Sequence, residues 1–171
     1  FDIGQICDCG QCFRMMQNNK DKNKNTYSVI AAGRYREVEQ KGKEISFSCE
    51  EAEFDDFWRD YFDIDRDYAA YMESVNPKDG YLVNAIQFGS GIRILHQDLW
   101  EMTVSFLISQ QNNIVRIRRC IGNICERYGE VKENLRKERY YAFPRPEILA
   151  GLAEDELKEC NLGYRSKYVV R

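Results

Sequence analysis

The apolar residues of this chain change their period once, and that change limits the fold more than any other feature. Between residues 11 and 49 the pattern is short runs rich in β-branched and aromatic residues, at 11–17, 26–32, 35–40 and 44–49. Turn residues at 18–25, Gly33 and Lys41-Gly42-Lys43 separate them. Tyr27-Ser28-Val29 and Ile45-Ser46-Phe47 alternate most clearly, so every second side chain faces one side of an antiparallel meander that helices can cover. Beyond Cys49 the spacing becomes helical. Phe54, Phe57, Trp58, Tyr61 and Phe62 recur at i, i+3, i+4, i+7 and i+8, one apolar stripe with acidic residues on the wet face. A meander followed by helices predicts an α+β fold.

The helical pattern continues to the last residue. Segments 67–75 and 81–88 read as short helices, broken by Asn76-Pro77 and Asp79-Gly80. After Gly89-Ser90-Gly91, Asp98 and Glu101 stand at capping-box spacing ahead of a helix over 100–110, expected to bury Leu99, Met102, Phe106 and Leu107. A second helix carries its stripe on Ile114, Ile117, Ile121, Ile124, Cys125 and Tyr128, with Asn112 or Asn113 able to cap it and Gly129 suited to its exit. Phe143-Pro144-Arg145-Pro146 turns the chain into a segment ending near Leu152; 154–160 gives a short helix, and Gly163 opens a basic one that runs to Arg171. The expected domains are residues 1–90, α+β, and residues 91–171, the first helices of an all-α domain.

The net charge of −3 and pI near 5.4 argue against a generic nucleic-acid binder, so the distribution of charge matters more than its sum. Residues 1–90 hold 11 Lys+Arg against 17 Asp+Glu, residues 91–171 hold 14 against 11, and any positive potential therefore belongs to the second half. Seven scattered cysteines suit reduced thiols better than a disulfide framework. Cys7, Cys9 and Cys12 invite a metal reading, but zinc sites want paired thiols with a second pair or a histidine downstream, and His96 is the only histidine. The preferred reading is three small side chains on a packed strand, with no metal and no cofactor. No apolar run approaches the roughly 18 residues of a membrane helix, and Phe1-Asp2-Ile3 does not open a signal peptide. A cytoplasmic protein is expected, nucleoid-associated if bacterial, with no membrane partner.

Four stretches, in order, resemble the 8-oxoguanine DNA glycosylases of the helix-hairpin-helix glycosylase superfamily. They are Cys9-Gly10-Gln11-Cys12-Phe13-Arg14; Tyr61-Phe62-Asp63-Ile64-Asp65; Gly91-Ile92-Arg93-Ile94-Leu95-His96-Gln97-Asp98 leading into Ser105-Phe106-Leu107-Ile108-Ser109-Gln110-Gln111-Asn112-Asn113-Ile114-Val115-Arg116-Ile117; and Leu162-Gly163-Tyr164-Arg165-Ser166-Lys167-Tyr168. The resemblance implies a TBP-like N-terminal domain and a helical glycosylase domain acting as a monomer on double-stranded DNA that contains 8-oxoguanine. Such an enzyme must extrude a base from the stack, fill the hole and read the base in a pocket. Its activity would be base excision repair, removing 8-oxoguanine with associated lyase action at the abasic site.

Site residues follow from the resemblance. Gln111 stands where the family places an Asn that fills the vacated hole; Gln is longer but keeps the amide's donors and acceptor. Asn112 lies beside it in the same DNA-binding loop, which without the resemblance reads as a helix-capping polar turn. Arg116 and Arg165 match the arginines that hold the orphaned cytosine through their guanidinium forks; spacing alone leaves a phosphate contact or a surface charge equally open. Tyr164 matches an aromatic wedge beside the orphan base, although spacing alone suggests a core residue. Gly10, Gln11 and Phe13 match the substrate-reading stretch. Guanine has a bare N7 acceptor whereas 8-oxoguanine carries a proton there, so a glycine carbonyl aimed at N7 bonds the damaged base and repels the normal one. By itself Gly10 reads as a bulge or turn glycine.

The resemblance also implies a lysine nucleophile that forms a Schiff base with the sugar, and an assisting aspartate, borne in and after a Leu-Pro-Gly-Val-Gly-x-Lys hairpin beyond the position of Tyr168. The present 171 residues contain no such segment, and Lys167 precedes the hairpin position without a counterpart role. The chain is therefore expected to be part of an active enzyme, or a naturally shortened one, and to be inactive alone. The alternatives are an alkylpurine glycosylase of the same superfamily and a non-catalytic module that binds damaged DNA.

Overall fold

A computed structural model describes residues 1–18 and 25–170; most of the turn expected at 18–25 lies outside the described residues. Strands β1 (Met15–Gln17), β2 (Asn25–Ala31), β3 (Arg34–Lys41) and β4 (Glu44–Phe47) form one sheet in that order. The β3–β4 pair is antiparallel, with Val38 opposite Phe47 and Gln40 opposite Ile45. Ala32 and Gly33, between β2 and β3, both have positive φ (47° and 70°), the two-residue hairpin geometry whose twist matches the strands it joins. The α+β reading of the sequence holds, and the helices expected around 54–62, 67–75 and 81–88 are present. No helix among the described residues is long and apolar enough to cross a membrane. The chain divides into two compact units, one of residues 1–12, 17–27 and 37–96, the other of residues 13–16, 28–36 and 97–171.

In the first unit, helix α1 (Ile3–Asp8) occupies ground the sequence pattern had assigned to a packed strand. Cys7 lies in this helix, the exposed Cys9 just beyond its end, and Cys12 is buried in irregular chain. Two local causes set the helix. The Asp2 carboxylate accepts from the Gln5 N–H at 2.9 Å, a side-chain N-cap, and Ile3, Ile6 and Cys7 supply a buried i, i+3, i+4 stripe. Helix α2 (51–61) comprises Glu51–Glu53, a π-helical segment Phe54–Trp58, and Arg59–Tyr61. Its stripe ends on Trp58, Tyr61 and Phe62, which are all but fully buried. Phe62 meets Phe1 and Phe47 edge-on, at 5.6 and 5.4 Å between centroids, the favoured geometry for aromatic pairs. Helices α3 (Tyr68–Glu73) and α4 (Gly80–Gly89) follow, N-capped by Asp67 and Asp79, the latter accepting from the Leu82 N–H at 3.0 Å.

In the second unit, α5 (Leu99–Ser109) and α6 (Ile114–Tyr128) pack with α7 (Pro146–Ala150), α8 (Glu154–Lys158) and α9 (Ser166–Val169) around Val104, Ile108, Ile117, Ile121, Ile124, Leu149, Leu157 and Leu162. Asp98 caps α5 as its spacing predicts, accepting from the Glu101 N–H at 2.8 Å. The expected buried face of α5 is corrected. Leu99, Met102 and Phe106 are exposed at 71%, 43% and 63%, while Val104, Ser105 and Ile108 turn inward. The helix is apolar nearly all round, so periodicity offers two stripes and packing against α6 chooses between them. A hairpin of β5 (Val131–Glu133) and β6 (Arg139–Tyr141), absent from the sequence reading, sits between α6 and α7.

Candidate nucleic-acid interface

The turn between α5 and α6 carries three of the residues singled out in the sequence. Gln110 leaves α5 with extended ψ, and Gln111 then takes a left-handed conformation at φ 49°, which costs a residue with a Cβ about 1–2 kcal/mol. Asn112 locks the turn from within. Its Nδ2 donates to the Ile108 carbonyl and its Oδ1 accepts from the Asn113 N–H, both at 3.0 Å. Asn113 is the N-cap of α6, accepting from the Arg116 N–H at 3.0 Å, which decides between the two asparagines open as caps. Gln111 is left exposed at the apex.

A buried arginine holds that apex. Arg165, only 4% exposed, donates from Nε to the Gln110 carbonyl at 3.1 Å and from Nη2 to the carbonyls of Gln110 and, at 3.1 Å, Gln111. Its guanidinium lies 4.5 Å from the centroid of the Tyr164 ring, which is half exposed. Arg165 thus spends much of its fork on the chain's own carbonyls, where the sequence resemblance implied a cytosine contact. Arg116, by contrast, is exposed; its Nη2 makes a long contact to the Asn161 carbonyl at 3.4 Å, and its side chain also meets the Cys120 thiol. The second unit therefore brings Gln111, Asn112, Arg116, Tyr164 and Arg165 together around one turn. Gln110 and Asn161, which contribute only carbonyls, had no side-chain signal by which sequence could find them.

At the other, N-terminal end of α5 lies an ion pair that the sequence reading passed over. Arg14, nearly buried, sits 3.6 Å from Glu101 and donates to the Tyr141 carbonyl. Burial pushes the Glu101 carboxyl above its ordinary value, and the Arg14 charge opposes that rise. Burial likewise pushes the Cys125 thiol up to about 12. Phe13, next to Arg14, packs half-buried against the α5–α6 core.

Gly10 and Gln11 belong to the first unit. Gly10 has φ 83°, and a Cβ placed on it would meet nothing within 4 Å, so the backbone conformation, not crowding, asks for glycine here. The Gln11 amide is engaged with its own chain. Its Nε2 donates to the Arg93 carbonyl at 2.8 Å and its Oε1 accepts from the Leu95 N–H at 3.0 Å. The Asp63 carboxylate, at a residue with φ 47°, accepts from the Tyr68 hydroxyl and the Arg66 Nε, each at 2.8 Å. Burial alone would raise its pKa; these donors win and hold it below the usual carboxylate range.

An exposed amide on a strained apex, flanked by an aromatic ring and arginines, offers hydrogen-bond donors, an acceptor and a stacking face, the groups a nucleobase can engage. The chain belongs to the family described as 8-oxoguanine DNA glycosylase, N-terminal domain, whose family model matches residues 1–103; the HhH-GPD superfamily of base excision DNA repair proteins matches residues 104–171. It is similar to the N-glycosylase/DNA lyase of Saccharomyces cerevisiae, with 41% identity over 81 residues, 47% of this chain and 22% of that protein. Among solved structures it matches the Clostridium acetobutylicum 8-oxoguanine glycosylase/lyase in complex with dsDNA containing cytosine opposite 8-oxoG. That match has a TM-score of 0.91 and 37% identity, covering 99% of this chain and 57% of the other. The 3-methyladenine DNA glycosylase of Archaeoglobus fulgidus shares the fold, with a TM-score of 0.62 at 17% identity. The chain spans less than two thirds of the length of these relatives.

Proposed function

We propose that this chain is the damage-reading part of an 8-oxoguanine DNA glycosylase/lyase that acts in base excision repair. The α5–α6 turn carries the reading, since it projects Gln111 from a left-handed backbone held by a buried arginine. A flipped base leaves a hole of base size, and a rigid amide with donors and an acceptor can fill it. Gln111 and Asn112 form that loop, Arg116 and Arg165 face the orphaned cytosine, Tyr164 wedges beside it, and Gly10, Gln11 and Phe13 make up the stretch whose Gly10 main chain reads the extruded base. Family membership and the likeness to a glycosylase solved with 8-oxoG-containing DNA support this assignment. The partner is lesion-bearing duplex DNA, bound by a monomer in the cytoplasm, on the nucleoid in a bacterium. Excision uses the family's lysine and aspartate and no cofactor; these 171 residues bind without cleaving.

Fluorescence anisotropy with duplexes carrying 8-oxoguanine opposite cytosine, guanine opposite cytosine, or an alkylated adenine tests the proposal. Tightest binding to the first, with no strand nicking, is the expected result. Equal binding to all three would refute damage reading, and preference for the alkylated base would move the chain to the alkylpurine enzymes.

A further inference from the structure

Residues 92–98 form neither helix nor strand, yet much of the backbone here is hydrogen-bonded, largely to side chains brought from far along the sequence. The Gly91 N–H donates to Gln5 Oε1 at 2.9 Å, and the Gly91 carbonyl accepts from the Asp2 N–H at 2.8 Å. Gln5 Nε2 reaches the Phe88 carbonyl at 3.0 Å. Two residues on, the Gln11 amide spans the Arg93 carbonyl and the Leu95 N–H at 2.8 and 3.0 Å. The Ile94 N–H donates to the Tyr68 hydroxyl at 2.8 Å. Two glutamine amides therefore stand in for a neighbouring strand, each supplying the donor and acceptor a strand would offer.

The fit is close enough to select residue type. A Cβ on Gly91 would fall 2.2 Å from the Asp2 Cβ and 2.9 Å from Gln5 Oε1, so only glycine admits the start of α1 at this point. The second glutamine is the residue immediately after Gly10, whose φ of 83° has no such crowding to enforce it. What fixes the Gly10 main chain is then the clamp on either side of it. Gln5 lies within α1 before it, and Gln11, with Nε2 also 3.2 Å from Cys9 Sγ, follows it.

We propose that Gln5 and Gln11 are positioning residues for lesion discrimination: they bolt the Gly10 loop to residues 88–95, and Gln11 acts through Gly10 without touching the base itself. This rests on the damage-reading assignment above. A carbonyl that separates a protonated N7 from a bare one discriminates through one bond, and a bond of this kind weakens steeply with misplacement. A loop free to shift would bind both bases about equally.

The test uses the 171-residue chain with Gln11→Ala and Gln5→Ala, read two ways. Amide hydrogen exchange without DNA is expected to speed by about tenfold or more at residues 91–95 in Gln11→Ala, with α6 unchanged. The affinity ratio for 8-oxoguanine over guanine duplexes is expected to fall about tenfold, the equivalent of one hydrogen bond. Gln5→Ala, remote from the base, is expected to lower that ratio while leaving undamaged-duplex affinity within about twofold, and it decides the matter should Gln11→Ala fail to fold. Faster exchange with an unchanged ratio overturns the proposal, since the clamp would then be structural only. Unchanged exchange overturns it as well. No lesion preference in the unaltered chain would sink the damage reading and the proposal with it, and is told apart from failure of the clamp because the unaltered protein alone reveals it.

Discussion

Arg165 offers the sharpest energetic test of how the α5–α6 turn is built. Its buried guanidinium meets the carbonyls of Gln110 and Gln111 and, at 3.4 Å, that of Leu162. Hydrogen bonds from a charged donor contribute about 1.5–3 kcal/mol each, but Gln110 and Gln111 are exposed enough for water to replace part of the loss. Arg165→Ala should therefore destabilise the chain by about 3 kcal/mol, and Arg165→Lys, which keeps the charge without the planar fork, by about 2 kcal/mol. For a chain of this size each kcal/mol lowers the melting temperature by roughly 2–4 °C. A second substitution isolates the strain. Gln111→Gly removes the penalty of the left-handed backbone, about 1–2 kcal/mol. Once Arg165 is gone the turn is free to relax, so glycine should gain less there, giving a coupling of about 1 kcal/mol in a double-mutant cycle. Urea unfolding followed by far-UV circular dichroism measures all four proteins. Additive effects within about 0.3 kcal/mol would refute the claim that Arg165 holds Gln111 in its strained conformation.

Other consequences concern the core and its titratable groups. Ile108→Ala should cost about 2–5 kcal/mol, whereas Phe106→Ala on the exposed face of α5 should stay within about 0.5 kcal/mol of the unaltered chain; the same unfolding assay compares them. Because burial raises the Glu101 pKa, its ionisation removes stability as pH rises from the ordinary 4.5 through the raised value, and Glu101→Gln should flatten stability over that interval. Asp63, depressed by Tyr68 and Arg66, acts in the opposite sense. Its contribution is present above the ordinary 3.8 and lost as pH falls through the lowered value, so Asp63→Asn should remove that acid-side loss in a pH series of melts. Alkylation in mildly alkaline buffer should label the exposed Cys9 first and leave Cys120, Cys125 and Cys160 unmodified until the chain unfolds, as peptide mass spectrometry would show.

Much of this architecture was legible because it is local. Alternation placed the strands within a few residues, and the stripe from Phe54 to Phe62 named the aromatic core of the first unit. Asp98 announced its helix through side-chain chemistry alone, and the next helix was announced by a pair, Asn112 or Asn113, between which only the structure decides. The misses share a physical character. Helix α1 is short, and the cysteines in and just beyond it read as a strand, although Asp2 and Gln5 stand at capping-box spacing. On α5, two apolar stripes compete and only the packing partner decides which is buried. The partners of Gln11 lie 82 and 84 residues away, a separation no local pattern reveals. For the interface, Gln111, Arg116, Tyr164 and Arg165 entered through family resemblance, and their bare spacing said little. The commitment of Arg165 to backbone carbonyls emerges only in three dimensions.

The central claim, that the Gln111 turn takes the place of an extruded base, is tested most directly by 2-aminopurine fluorescence. With this reporter stacked beside 8-oxoguanine in a duplex, binding of the unaltered chain should brighten it as the lesion leaves the stack, and Gln111→Ala should bind with much less brightening. Equal brightening by both proteins, or none by the unaltered chain at saturating concentration, would contradict the account.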